Sequence, residues 1–313
     1  MSAEPGPEER DVVDDSEGDE GESLELEERD VDDETYARFD CTSGDAAGHA
    51  DAVDAARRAV EAGDCIVLPT DTVYGIGADA FSADAVQGLL DAKGRGRDMP
   101  PPVLVGDASL VRALATDVPD QARELVEVHW PGPLTIVCRI QPSLRMDLGD
   151  TDGTIALRVP DHALAREILR RTGPLAVSSA NLSGKPAALT CDEAVEQLGD
   201  QVAVYLDGGP LGTSEQDGDA RHALPSTIVD FTRHDDGQLL RRGALSLGTL
   251  RQVVPGLRDL DEPPAAPQPV EPQPVGPEPD EPQPDEPVTP ASHEPRPDEP
   301  QPDEPRVEPE PTP

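Results

Sequence analysis

The segment Cys65-Ile-Val-Leu-Pro-Thr-Asp-Thr-Val-Tyr-Gly-Ile-Gly77 opens on an apolar run, crosses a polar stretch and closes on two glycines ahead of a helical pattern beginning near Ser82. An apolar run this short, stopped by Pro69, reads as a buried strand, and the residues after it read as a loop that turns through the glycines into the helix. The same alternation continues on both sides. Strands are predicted at 65–69, 102–105, 134–140, 154–159, 175–178, 202–206, 226–231 and 238–241, and helices at 49–62, 82–93, 107–115, 119–129, 161–172, 191–198 and 246–253. Caps support several of them: Ser82 ahead of Ala83 and Asp84, Asp161 after Pro160, and Gly63 and Gly173 at helix ends. Strands and helices interleaved in this way predict one α/β domain over residues 41–260, with flanking helices packed on a mixed, twisted sheet.

Charge marks where that domain stops. The 313 residues include 65 Asp and Glu against 25 Lys and Arg, a formal net charge of −40. Residues 1–40 carry −15 and residues 261–313 carry −13, so under a third of the chain holds most of the charge. The arm at 1–40 lacks a sustained apolar period and is expected to be disordered, because it buries too little to offset the entropy of ordering. In the tail at 261–313, 20 of 53 residues are proline and PDEPQPDEP occurs at 279–287 and again at 297–305. Fixed φ angles and like charges predict a disordered, extended polyproline-like brush, serving as a solvating tail or as a docking segment.

The same arithmetic excludes several functions. An acidic chain with a pI near 4.2 repels phosphate overall, so it is no non-specific nucleic-acid binder, and any anion site must be a local cluster. No run of 18 apolar residues is present, so no membrane helix is expected, and the first 20 residues lack a signal peptide's basic and apolar regions. A cytoplasmic location follows as the expectation. Cys41, Cys65, Cys138 and Cys191 show no zinc spacing and are read as reduced thiols. Lys93 and Lys185 are the only lysines; acid excess with lysine nearly absent resembles the composition of cytosolic proteins from salt-loving archaea.

Within the domain, three segments carry groups suited to chemistry. The loop after the first quoted strand offers the hydroxyls of Thr70, Thr72 and Tyr74, either as a ligand loop at a strand's carboxyl end or as an ordinary connection. Lys93-Gly-Arg-Gly-Arg97 gathers three cations on a pliable backbone, which suits a phosphate chain, with a solvated basic turn as the plain reading. Ser178-Ser-Ala-Asn-Leu-Ser-Gly-Lys185 follows an apolar strand and presents hydroxyls and an amide, either to phosphate or ribose oxygens or simply to solvent. Arg158 ends a strand where it would clamp a carboxylate or form a salt bridge, and Ser226 and Arg241 occupy comparable positions. GxxxxGK[ST], GxSxG, HExxH and a complete GxGxxG are absent, and His129 and His162 lack metal-ligand partners at a telling spacing, so they are read as structural. Nucleotide binding would therefore rely on side-chain cations.

In chain order PTDTVYGIG at 69–77, KGR at 93–95, WPGPLT at 130–135, ALRVPDH at 156–162, SSANLSG at 178–184, LDGGP at 206–210, PSTIVD at 225–230 and LLRRGAL at 239–245 resemble the YrdC family across about residues 50–255. The resemblance implies an L-threonylcarbamoyladenylate synthase, a nucleotidyltransferase that joins L-threonine, bicarbonate and ATP and releases pyrophosphate. It implies Lys93 and Arg95 as catalytic cations, and ATP held by Lys93, Arg95, Thr154, Ser179, Asn181 and Arg241. Threonine would lie near Thr72, Arg158 and Ser226. Mg²⁺ would accompany ATP, with no metal held by protein ligands. The product would serve threonylcarbamoyl modification of the adenosine beside the tRNA anticodon, completed by a separate transferase complex. A non-catalytic module binding tRNA or double-stranded RNA is the competing expectation, and hydrogenase-maturation chemistry is set aside because its Cys pairs are missing.

The chain also departs from the family pattern. Met99 stands where relatives carry a second lysine and Gly96 where they carry a proline, with Arg97 expected to supply the missing charge. Leu104 lies where some relatives have a histidine, which bears on threonine affinity, and Ala187 lies where a serine is common. The Pro/Glu tail takes the place of the second folded domain of longer relatives.

Overall fold

A computed structural model describes residues 35–212 and 224–260. The expectations for the arm before residue 35 and for the tail at 261–313 fall outside these described residues. Among the described residues, eleven strands form one sheet: β1 (Ala37–Asp40), β2 (Ile66–Leu68), β3 (Gly75–Asp79), β4 (Val103–Leu104), β5 (Ala115–Thr116), β6 (Leu134–Ile140), β7 (Thr154–Arg158), β8 (Leu175–Ser179), β9 (Val204–Asp207), β10 (Thr227–Asp230) and β11 (Gln238–Arg241). The helices are α1 (Ala46–Ala62), α2 (Ala83–Ala92), α3 (Val111–Leu114), α4 (Asp120–His129), α5 (Ala163–Thr172), α6 (Cys191–Leu198) and α7 (Leu247–Arg251). The expected α/β class and mixed sheet are present.

Across the sheet the strands run β1-β9-β2-β3-β8-β4-β7-β6-β10-β11, with β5 paired to β6. β1 and β2 are parallel to β9, β4 is parallel to β7, and β10 is parallel to β6; the pairs β2/β3, β3/β8, β4/β8, β6/β7 and β10/β11 are antiparallel. Burial on both faces explains why β2 reads as an unbroken apolar run. Ile66 and Leu68 enter a core with Leu104, Leu175, Val177 and Leu206 beneath α1 and α5, whereas Val67 faces the other core with Ile76, Ala78 and Leu89 of α2. α1 buries Ala52, Val53, Ala56, Ala59 and Val60, a spacing of three and four that marks one helical face, and Asp45 starts it by accepting from the amides of Ala47 and Gly48. α6 begins with a reciprocal cap between Thr190 and Glu193.

Three elements differ from the sequence expectation. Residues 37–40 form β1 rather than the end of an acidic arm, so the domain starts before residue 41. As an edge strand it keeps most side chains exposed, leaving no apolar pattern to read; backbone pairing with β9 and the contact of Arg38 with Asp207 hold it. Residues 75–79, expected as a loop, form β3. The glycines there serve close packing, since a Cβ on Gly75 would lie 2.7 Å from Val177 Cγ1. The helix expected at 107–115 divides into a 3₁₀ turn at Ala108–Leu110, the short α3, and then β5.

Candidate functional site

A cleft of about 330 Å³ is lined by residues of β4, β6, β7, β8, β10 and β11 and of the loops beside them. Leu104 of β4 pairs with Arg158 of β7, Thr135 of β6 pairs with Ile228 of β10, and Ile228 pairs with Arg241 of β11. Directly paired residues share a face, so these five side chains form one band across the sheet. Thr70, Thr72 and Val73 from the β2–β3 loop wall it on one side, and Ser179 at the end of β8 with Asn181, Lys185 and Ala187 after it wall another; Arg95 and Pro225-Ser226 also line it. The groups were expected at one rim of the sheet. Arg158, Ser179 and Arg241 are indeed the last residues of β7, β8 and β11, and Thr135 and Ile228 are the second residues of β6 and β10.

Thr72, Arg95, Arg158, Ser179, Asn181, Ser226 and Arg241 all line this cleft. Lys93 does not. It is 2% exposed at the end of α2, and its Nζ donates to the carbonyl oxygens of Ser179 and Asn181, the latter at 2.6 Å. Gly94, with φ of +58°, lets the chain reverse there so that Lys93 points under the β8 loop while Arg95 reaches the cleft. Thr154 also lies apart: its hydroxyl donates to Thr151 O, and it lines a neighbouring pocket of about 220 Å³ that shares Pro100, Pro102 and Ile228 with the cleft. Tyr74 points away, donating to Gly209 O at 2.7 Å.

Arg158 is fixed on three sides. Its Nε donates to Gly132 O at 3.0 Å, one terminal nitrogen to Thr72 Oγ1 at 3.0 Å, and the other to Asp71 Oδ1 at 2.6 Å. Arg241 bonds the carbonyl and hydroxyl of Ser226, whose hydroxyl also meets Thr135 Oγ1 at 2.8 Å. Arg95 donates to Ser178 Oγ at 3.0 Å. Burial lowers the pKa of all three guanidiniums; Asp71 opposes the shift at Arg158, and at Arg241 the positive Arg158 and Arg95 add to it. Burial, then Arg95, pushes Lys93 down to about 8. Among the described residues Arg95 and Arg241 form no ion pair, and Asp71 alone answers Arg158. Crowded cations with one ion-paired carboxylate among them favour an incoming anion. Arg95 Nε and Asn181 Oδ1 are buried without hydrogen-bond partners, which leaves a donor and an acceptor unused by the protein.

The sequence reading did not assign Thr135, Ser178, Lys185 or the Asp71 ion pair to the site. A hydroxyl residue inside the apolar 134–140 run was the available signal for Thr135, which the structure buries completely. The departures sort by position: Leu104 and Ala187 line the cleft, while Met99 is exposed outside it. Arg97 does not supply the charge expected of it, because its guanidinium is engaged by Asp147 and by Gln87 Oε1. All four cysteines are free thiols; burial pushes Cys65, Cys138 and Cys191 up to about 12, away from thiolate reactivity.

The family model Sua5_yciO_yrdC, described as Telomere recombination, matches residues 58–243. A Mycobacterium tuberculosis protein, named provisionally as a threonylcarbamoyl-AMP synthase, is 49% identical over 216 residues, covering 69% of this chain and 94% of that protein. The threonylcarbamoyl-AMP synthase of Bacillus subtilis is 35% identical over 212 residues, covering 64% of this chain and 58% of its own length. The solved structure of P. abyssi Sua5 complexed with L-threonine is similar at a TM-score of 0.62 and 29% identity, over 72% of this chain and 62% of that one.

Proposed function

Because this chain belongs to the Sua5/YciO/YrdC family, we propose that it is a threonylcarbamoyl-AMP synthase, making L-threonylcarbamoyladenylate from L-threonine, bicarbonate-derived CO₂ and ATP. The observation that carries this reading is the convergence of Arg95, Arg158 and Arg241 with Thr72, Ser179 and Ser226 in one cleft of a chain whose formal charge is −40. The threonine amine adds to CO₂ and loses a proton, giving a carbamate; a carbamate oxygen then attacks the α-phosphorus of ATP, and pyrophosphate leaves with the electrons of the broken P–O bond. No protein nucleophile is needed, so rate comes from positioning and charge.

In this reading Arg158, held in place by Asp71, faces the threonine carboxylate, with Thr72 and Ser226 beside it. Arg95, Arg241 and Ser179 take the phosphates, while Asn181, whose free Oδ1 can only accept, and Thr154 in the adjoining pocket mark the nucleotide's edge. Lys93 adds its charge from beneath, while its bonds to two carbonyls keep Ser179 and Asn181 in position. Magnesium would arrive on the triphosphate: among the described residues no three His, Cys, Asp or Glu side chains converge, and Asp71 is engaged by Arg158 and the Asp161 amide. When bound it supplies charge neutralisation at phosphoryl oxygens. A separate transferase would carry the product to the adenosine of tRNA. Among the described residues no helix is long and apolar enough to cross a membrane, and the proposal places the enzyme in the cytoplasm.

Pyrophosphate release measured in high potassium chloride, with threonine and bicarbonate omitted in turn, tests the proposal. Release that requires both supports it. Release independent of either, or none at all alongside RNA binding, overturns it.

A further inference from the structure

The chain has two lysines, and the structure brings both to the same loop. Lys93 is buried beneath it with its ammonium on the carbonyls of Ser179 and Asn181. Lys185 is exposed at its far end and lines the cleft. We propose that Lys185 contacts the triphosphate directly, giving the cleft the ammonium that the buried Lys93 does not present to it. The proposal rests on the synthase reading above and adds a residue to its phosphate site.

Three observations support it. First, the backbone from which Lys185 projects is fixed. Its amide donates to Leu182 O at 3.0 Å, its carbonyl accepts from Asn181 Nδ2 at 2.9 Å, and Gln197 Nε2 donates to the carbonyl of the next residue, Pro186, at 3.2 Å. The Ser183 amide in turn donates to Lys93 O at 2.9 Å, so one lysine braces the loop that carries the other. Second, Lys185 has no carboxylate at ion-pair distance among the described residues, in a chain where acids outnumber cations 65 to 25. A lysine on such a surface finds a partner readily, and one left without a carboxylate beside an anion cleft keeps its charge for a ligand. Third, Arg95 and Arg241 line the same cavity, so a chain of three phosphoryl groups lying there meets guanidinium on its other sides. A flexible ammonium suits the terminal phosphoryl group, whose position shifts as pyrophosphate departs; the planar guanidiniums suit the fixed ones.

The test uses the full chain and inorganic tripolyphosphate, measured by calorimetry, beside steady-state pyrophosphate release. Lys185→Ala and Lys185→Gln are expected to weaken tripolyphosphate binding about tenfold and to raise the KM for ATP similarly, with the KM for threonine changed less than twofold. Lys185→Arg is expected to recover most of the binding. Because Lys185 is exposed, thermal unfolding of the variants should match the parent. Unchanged tripolyphosphate affinity in both neutral variants overturns the proposal, as does a parent protein that binds no tripolyphosphate. Failure of the synthase reading shows separately, as absence of threonine-dependent pyrophosphate release from a parent that still binds tripolyphosphate.

Discussion

Lys93 gives the site a titrating group within reach of ordinary assay conditions. Its pKa falls from 10.5 to about 8 in the folded protein, first through burial and then through Arg95. Two effects of opposite sign follow. Loss of its charge above about pH 8 should reduce kcat/KM for ATP along a basic limb that Lys93→Arg removes. The unfolded chain, however, binds that proton more tightly than the folded one, so this lysine's burden on stability is full below about pH 8 and fades as pH rises towards 10.5. Denaturation at pH 7.5 and 9.5, compared with Lys93→Met, reads the second effect apart from the first. Asp71 offers a complementary case. It and Arg158 are 13% and 7% exposed, and removing one partner of a buried pair costs about 3–5 kcal/mol. Asp71→Asn should therefore lower Tm strongly, and added L-threonine, whose carboxylate faces Arg158, should recover more of that loss than it adds to the parent. The sequence named Thr72, Arg95, Arg158, Ser179, Asn181, Ser226 and Arg241 of the cleft through hydroxyls after apolar runs, cations near strand ends and the family motifs that contain them. It did not show that Lys93 turns inward, since a residue's direction at a helix end depends on the reversal at Gly94, which spacing alone does not encode.

Among the elements, β3 ties packing to function most directly. Its Gly75 lies opposite Ser179 across the β3/β8 pair and against Val177, both of which line the cleft. Gly75→Ala places a methyl against Val177 and should cost about 1–3 kcal/mol by overpacking, with Val177→Ala in the same chain cancelling part of that loss in a double-mutant cycle. The capping box of α6 supplies a milder perturbation: Thr190→Ala should cost about 1 kcal/mol of stability, measured by urea denaturation, and leave pyrophosphate release near the parental rate. Elements with a buried face were legible as apolar runs, and β6, β8 and α6 match their expected spans closely. β1 and β3 were not. The first is an edge strand held through its backbone, and the second is built from glycines whose small size, rather than any strand preference, is what its neighbours require.

For the molecule as a whole, acids outnumber cations 65 to 25, while among the cleft arginines only Arg158 has an ion-paired carboxylate. Screening by salt relieves repulsion among exposed acids more than it weakens partly buried contacts. Thermal unfolding in 0.1 M and 2 M potassium chloride should show a higher Tm in the concentrated salt; an unchanged or lower Tm would remove the case that surface repulsion limits stability. The fold class was legible at this scale because alternating strands and helices survive an acidic composition. Which strand ends meet at the cleft was not, because that follows from which strands become neighbours, and the order β4-β7-β6-β10-β11 links residues more than a hundred positions apart. The placement of the two lysines has a practical outcome. Since one is enclosed and the other open, an amine-reactive dye applied to the folded chain has Lys185 as its accessible side-chain target, and a reporter attached there would sit at the mouth of the cleft, positioned to sense occupancy by a change in fluorescence.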